Sequence, residues 1–125
     1  MSKRILVVED QEDNRRILRD LLTSAGYEVV EAVNGEDGVR MAETHAPALI
    51  LMDIQLPGLD GYEATRRIKA NVELRQIPII AVTSYALSGD DANAFEAGCD
   101  AYVAKPYSPR ALLAKIREFL SKTIT

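Results

Sequence analysis

At 125 residues the chain is long enough for one continuous hydrophobic core and too short for two domains of ordinary size. It is 47% hydrophobic and 27% charged, an ordinary globular composition without low-complexity tracts or internal repeats. The net charge of -4 argues against direct nucleic-acid binding, which needs a clustered basic face, and the single cysteine, Cys99, excludes an internal disulfide and a cysteine-cluster metal site.

Met1-Ser2-Lys3-Arg4 leads straight into a short strand-like run, and no stretch approaches membrane-spanning length, so a cytoplasmic protein without a membrane partner is expected. Ile5 to Val8 is wholly apolar, reads as an interior strand, and ends in two adjacent acids, Glu9 and Asp10. The spacing then predicts a helix from Glu12 to Ala25, with Ile17, Leu18, Leu21, Leu22 and Ala25 on one inward stripe and Gly26 as its stop. Glu28 to Ala32 is a second strand whose flanking glutamates suit a sheet edge. Asn34-Gly35 is by itself a hairpin signal. Val39 and Ala42 share one helical face, however, so Asn34 reads better as the N-cap of a helix from Glu36 to His45, with Asp37 three residues on.

The run from Ala48 to Asp53 is five apolar residues closed by a carboxylate, with Pro57-Gly58 beyond. Such a strand is buried on both faces, and an acid is tolerable only at its carboxyl end, where open α/β sheets place their ligand sites. Asp60 and Glu63 resemble a capping box opening a helix to about Ala70. Ile77 to Val82 is the fourth strand, with Pro78 at its first pairing position and Thr83-Ser84 delivered at its end. Ser88 to Ala97 is a helix with Gly89 in its first turn and Phe95 as its only large apolar residue, so weak anchoring and motion are expected there. Ala101 to Ala104 forms the fifth strand, followed by Lys105-Pro106. Ser108-Pro109 then opens a final helix with Leu112, Leu113, Ile116, Phe119 and Leu120 inward.

Strands alternating with helices predict an α/β fold: a single doubly wound five-stranded parallel sheet with five helices. The first, third and fourth strands are continuously apolar and the other two are not, which favours the order 2-1-3-4-5. That order gathers Glu9, Asp10 and Asp53 at one sheet rim. Three carboxylates without histidine or cysteine call for a hard cation, Mg²⁺ rather than a calcium cage, with Mn²⁺ as a substitute. A carboxylate is a nucleophile toward phosphorus when a metal neutralises the phosphoryl oxygens, and Asp53, the acid of the central strand, is the candidate. Lys105 and Thr83, on the same rim, supply a cation and a hydroxyl for the phosphoryl oxygens.

Glu9-Asp10, Asp53, Thr83-Ser84 and Lys105-Pro106, together with Met52 through Gly61, resemble the CheY-like receiver domain of two-component response regulators over essentially the whole chain. The wording around Asp53 and from Ala81 to Asp90 is most similar to single-domain regulators of the DivK type and to hybrid-kinase receivers. The resemblance implies a flavodoxin-like sheet and phosphoryl transfer to Asp53 from a histidine kinase or histidine phosphotransfer protein. It implies Mg²⁺ held by Asp10, Asp53 and the backbone carbonyl of Gln55, with Glu9 assisting through water, and a cis Lys105–Pro106 bond. Thr83 and Tyr102 match the switch pair, Gln55 and Tyr85 the tuning positions. A downstream protein is expected on the face of the fourth helix, fifth strand and fifth helix. His45, the sole histidine, sits in a surface helix without a second ligand, so the phosphodonor is expected to be another protein.

Residues 1–125 are accordingly read as a receiver domain with no output domain, a signalling switch rather than an enzyme. Its alternative is a receiver excised from a hybrid kinase or larger regulator. The rival from another class is a Mg²⁺-dependent phosphohydrolase using an aspartyl phosphate. Such enzymes commonly place a second acid two residues after the nucleophile, where this chain has Gln55. A nucleotide or flavin binder is weaker still, because Glu9 and Asp10 stand where a glycine-rich phosphate loop belongs.

Overall fold

Apolar runs of four or five residues bury both their faces only when helices cover the sheet they form on each side. In the computed structural model, which describes residues 3–83 and 90–122, these runs are β1 (Arg4–Val8), β2 (Glu28–Ala32), β3 (Leu49–Asp53), β4 (Ile79–Thr83) and β5 (Ala101–Ala104). They alternate with α1 (Glu12–Ser24), α2 (Gly35–His45), α3 (Gly61–Ala70), α4 (Asp90–Ala97) and α5 (Pro109–Lys122). The sheet is parallel throughout and ordered β2-β1-β3-β4-β5. Every residue of β3 and β4 is buried, whereas β2 and β5 are mostly half-buried, as edge positions require.

Strand alternation divides the core in two. Leu6, Val8, Ile50, Met52, Ile79 and Ala81 face a layer that includes Ala42 of α2, Ala64 and Ile68 of α3, and Ala94 of α4. Ile5, Val7, Leu49, Leu51 and Ile80 face Leu18 and Leu22 of α1 and Leu112, Ile116 and Leu120 of α5. No helix among the described residues is long and apolar enough to cross a membrane.

Local chemistry explains most element ends. The Asn34 side chain accepts a hydrogen bond from the Asp37 amide at 2.7 Å, so Asn34-Gly35 opens a helix and not a hairpin. Asp60 caps α3 through the Glu63 amide at 2.9 Å, but the Glu63 carboxylate turns to Arg66 and Arg67, leaving only half of the expected box. Cys99 is buried against the Thr65 hydroxyl.

Two expectations need correction. Ile17 is 59% exposed, and Ala25, the exposed residue that caps the end of α1, is not inward either, so the stripe reduces to Leu18, Leu21 and Leu22. β4 starts at Ile79, after Pro78, because the Asp100 carboxylate takes the Ile79 amide at 2.9 Å while Lys69 pairs with the same oxygen. The helix expected from Ser88 is described from Asp90, Ser88 and Gly89 lying outside the described residues; within it Ala94 and Ala97 are buried and Phe95 is 52% exposed.

Gly61 begins α3 directly against the end of β3. A Cβ there would collide with the Asp53 carbonyl and stand 2.8 Å from the Ile54 Cα, both backbone atoms that cannot swing aside. Gly61→Ala should therefore lower stability by about 1–3 kcal/mol, the usual penalty for overpacking, read as a reduced urea midpoint at unchanged slope.

Candidate functional site

β1 and β3 are neighbours in register, Val8 beside Met52, while their continuations turn to opposite flanks of the sheet, so their carboxyl ends frame a crevice at the topological switch point. The rim carries Glu9 and Asp10 after β1, Asp53 at the end of β3, Thr83 at the end of β4, and Lys105 after β5, where the Lys105–Pro106 bond is cis.

The sheet brings the acids together. Carboxylate oxygens of Glu9, Asp10 and Asp53 lie within 4.8 Å of one another. Glu9 and Asp53 are buried, at 2% and 5% exposure, and Asp10 is the most open of the three. The Lys105 ammonium lies 3.3 Å from Glu9 and 3.7 Å from Asp53. The Gln11 amide donates to Glu9 at 3.0 Å, and the Gln55 amide donates to Asp53 at 3.1 Å. An all-oxygen donor set this tight suits a hard divalent cation.

Burial, and then the charge of Glu9, lift the Asp53 carboxyl from its ordinary 3.8 to about 7, against the opposing pull of Lys105 and of the Gln55 amide. Asp53 is thus an acid whose charge the apoprotein tolerates poorly and an added cation would favour. Burial and the nearby Glu9 also push the Tyr107 hydroxyl up.

Thr83 is fully buried, and its hydroxyl oxygen accepts a hydrogen bond from the Gln55 side-chain amide at 2.6 Å. Tyr102 pairs in register with Ala81, two residues before Thr83, and its hydroxyl is buried. Tyr85 and Ser84 lie outside the described residues. His45 is remote in α2, its carbonyl accepting from Arg4.

Two features escape the sequence reading. A groove of about 580 Å³ opens beside Glu9 and Lys105, walled by Ile17, Pro106, Tyr107 and Pro109; an apolar residue on the charged first half of α1 was its only trace. Arg15 reaches from α1 to the Glu9 carbonyl at 3.0 Å and to Glu31 of β2 at 3.1 Å. Its sequence signal was the four-residue spacing of Arg15 and Arg19 opposite an acid in the predicted edge strand.

A model of the response regulator receiver domain matches residues 5–117. The polar-differentiation response regulator DivK of Brucella anthropi is 43% identical over 120 residues, covering 96% of this chain and 98% of that protein. DivK of Brucella melitensis is 42% identical over the same extent. Among solved structures, the receiver domain of a Pseudomonas aeruginosa sensor histidine kinase, with a magnesium ion coordinated in its active-site cleft, superposes with a TM-score of 0.91 at 40% identity. That match covers 97% of this chain and 99% of the other. A CheY-like receiver domain protein from Methanospirillum hungatei gives 0.89 at 35% identity, covering 98% and 96%. A family match across most of the chain, joined to the acid, threonine and lysine rim at the switch point, makes this chain a member of the response regulator receiver domains of two-component signalling.

Proposed function

We propose that the chain is a phospho-acceptor switch in which Asp53 takes a phosphoryl group from a phosphohistidine of a histidine kinase or histidine phosphotransfer protein. The observation that carries this reading is the buried Asp53 carboxylate within 4.8 Å of two further acids, with one lysine beside it. Asp10, Asp53 and the Gln55 carbonyl would hold Mg²⁺, with Glu9 acting through water. The ion, when bound, neutralises charge on the phosphoryl oxygens.

An Asp53 oxygen attacks phosphorus as the bond to the donor imidazole nitrogen breaks, and that nitrogen keeps the electron pair. The Lys105 ammonium, 3.7 Å from Asp53, is placed to exchange its carboxylate partners for a phosphoryl oxygen. The Thr83 hydroxyl donates to another. The groove lined by Glu9, Ile17, Lys105 and Pro106 offers an apolar donor surface a place to rest beside Lys105.

The pairing of β4 and β5 supports a switching role. Residues paired across parallel strands share a face, so Thr83, Ala81 and Tyr102 stand on the side that α4 covers through Ala94. A shift of the Thr83 hydroxyl toward a phosphoryl group is felt by the Tyr102 ring, and the face of α4, β5 and α5 changes for a partner protein. Among the described residues of α4, Ala94 and Ala97 are the buried ones, a shallow contact that supports its moving on phosphorylation. Gln55, engaged with Thr83 through an amide that neither donates nor accepts protons at neutral pH, gives no support to a phosphohydrolase, so the chain catalyses only its own phosphorylation and dephosphorylation.

With a folded pKa near 7 and an unfolded value near 3.8, Asp53 binds its proton more tightly when folded. Its contribution to stability is therefore full below the lower value and is lost as pH rises through the window between them. In metal-free buffer, Asp53→Asn should become more stable than wild type by roughly 2–4 kcal/mol as the pH rises from 4 to 7, measured by urea denaturation. Millimolar Mg²⁺ should narrow that gap at neutral pH by stabilising wild type alone.

Acetyl phosphate with Mg²⁺ should add one phosphoryl group to the chain, located by peptide mass spectrometry at Asp53, and none to Asp53→Asn. Label on another residue, or rapid multiple turnover of an unrelated phosphate ester, would overturn the proposal. Lys105→Ala should leave the chain folded and cut labelling at least about tenfold, because the only cation touching Asp53 among the described residues is gone.

A further inference from the structure

We propose that Arg15 is a positioning residue for the metal site: its guanidinium holds the peptide between Glu9 and Asp10 in the orientation that keeps the Asp10 carboxylate beside those of Glu9 and Asp53. The inference rests on reading the acidic rim as a Mg²⁺ site.

Asp10 is the most open of the three acids, and among the described residues its side chain makes no hydrogen bond or ion pair. Glu9, by contrast, is held by Gln11 and Lys105, and Asp53 by Gln55 and Lys105. The place of the Asp10 carboxylate is therefore set by the backbone that carries it. The Glu9 carbonyl, the Asp10 amide and the Asp10 Cα share one rigid plane, so whatever fixes the carbonyl oxygen fixes the plane. The Glu9 amide is tied to the Ala32 carbonyl of β2 at 3.1 Å, and the Glu9 carbonyl to Arg15 at 3.0 Å. Both restraints lead to β2, since the Arg15 Nε is locked on Glu31 at 3.1 Å and Glu31 is gripped from its other side by Arg19 at 3.1 Å. The Arg15 side chain is only 16% exposed. A planar guanidinium can serve the carboxylate and the carbonyl together in fixed directions, which a lysine ammonium at the same place cannot.

The sign of the effect separates positioning from simple charge. Removing a cation near a cation-binding site should by Coulomb's law tighten Mg²⁺ binding. Loss of the strut should weaken it, because groups that orient metal ligands typically contribute about 10- to 100-fold in affinity. Arg16 is the control: it is adjacent, carries the same charge, pairs with Asp13 and has a side chain 56% exposed.

The test is Mg²⁺ titration calorimetry on the full chain, with the metal-free thermal midpoint of each protein recorded beside it. Arg15→Met should bind Mg²⁺ at least about tenfold more weakly than wild type, Arg15→Lys should show most of that loss, and Arg16→Met should bind as wild type or tighter. Should Arg15→Met not fold, Arg15→Lys carries the comparison. Arg15 variants that lose thermal stability but bind Mg²⁺ at wild-type affinity or tighter overturn the proposal, as does an equal loss in Arg16→Met. Wild type that binds no Mg²⁺ overturns instead the reading of the rim as a metal site.

Discussion

A carboxylate kept at 5% exposure beside two other acids is a standing electrostatic cost, and much of the rim is arranged around containing it. Lys105 touches both buried acids, and the Gln11 and Gln55 amides each donate to one. These contacts do not remove the cost, since Asp53 still holds its proton to about pH 7. The offset comes from elsewhere: β1 and β3 are apolar on both faces up to the residue where charge begins, and both helical layers close over them. That surplus of hydrophobic stabilisation is what lets a buried acid whose charge is disfavoured persist at the rim.

The same rim spans both faces of the sheet at β4. Asp53 is paired with Val82 on the α1 and α5 side, whereas Thr83, paired with Ala104, and Ala81, paired with Tyr102, stand on the other face of the same two strands. Ala94 of α4 packs on the face that carries Ala81 and Tyr102. The α1 and α5 side is packed with Leu18, Leu22, Leu112, Ile116 and Leu120, whereas the contact of α4 with the sheet is made through alanine.

Where sequence and structure part company, tertiary contacts are responsible. The pattern around Ile17 is amphipathic, yet the side chain is exposed and lines a groove with Pro106, Tyr107 and Pro109 instead of the core. Pro78 was legible as a strand residue because it is flanked by isoleucines; Asp100, distant in sequence, satisfies the next amide and lets the strand begin there. The half-made cap at Asp60 has the same origin in rivalry, with two arginines on α3 outbidding a backbone amide for Glu63. The Gln55–Thr83 bond spans 28 positions and leaves no periodicity to read.

Sequence alone determined the number of elements, the order of the strands and the acids that close them. Those properties follow from whether a run is apolar on one face or two and from where charge interrupts it, and both are written locally. Only the tertiary structure decided how far apart the carboxylates stand, which of them lie buried, what holds each in place, and that an arginine on α1 braces the peptide between two of them. Those are consequences of distances between strands and helices brought together by folding, and distance is the quantity on which both charge repulsion and metal binding depend.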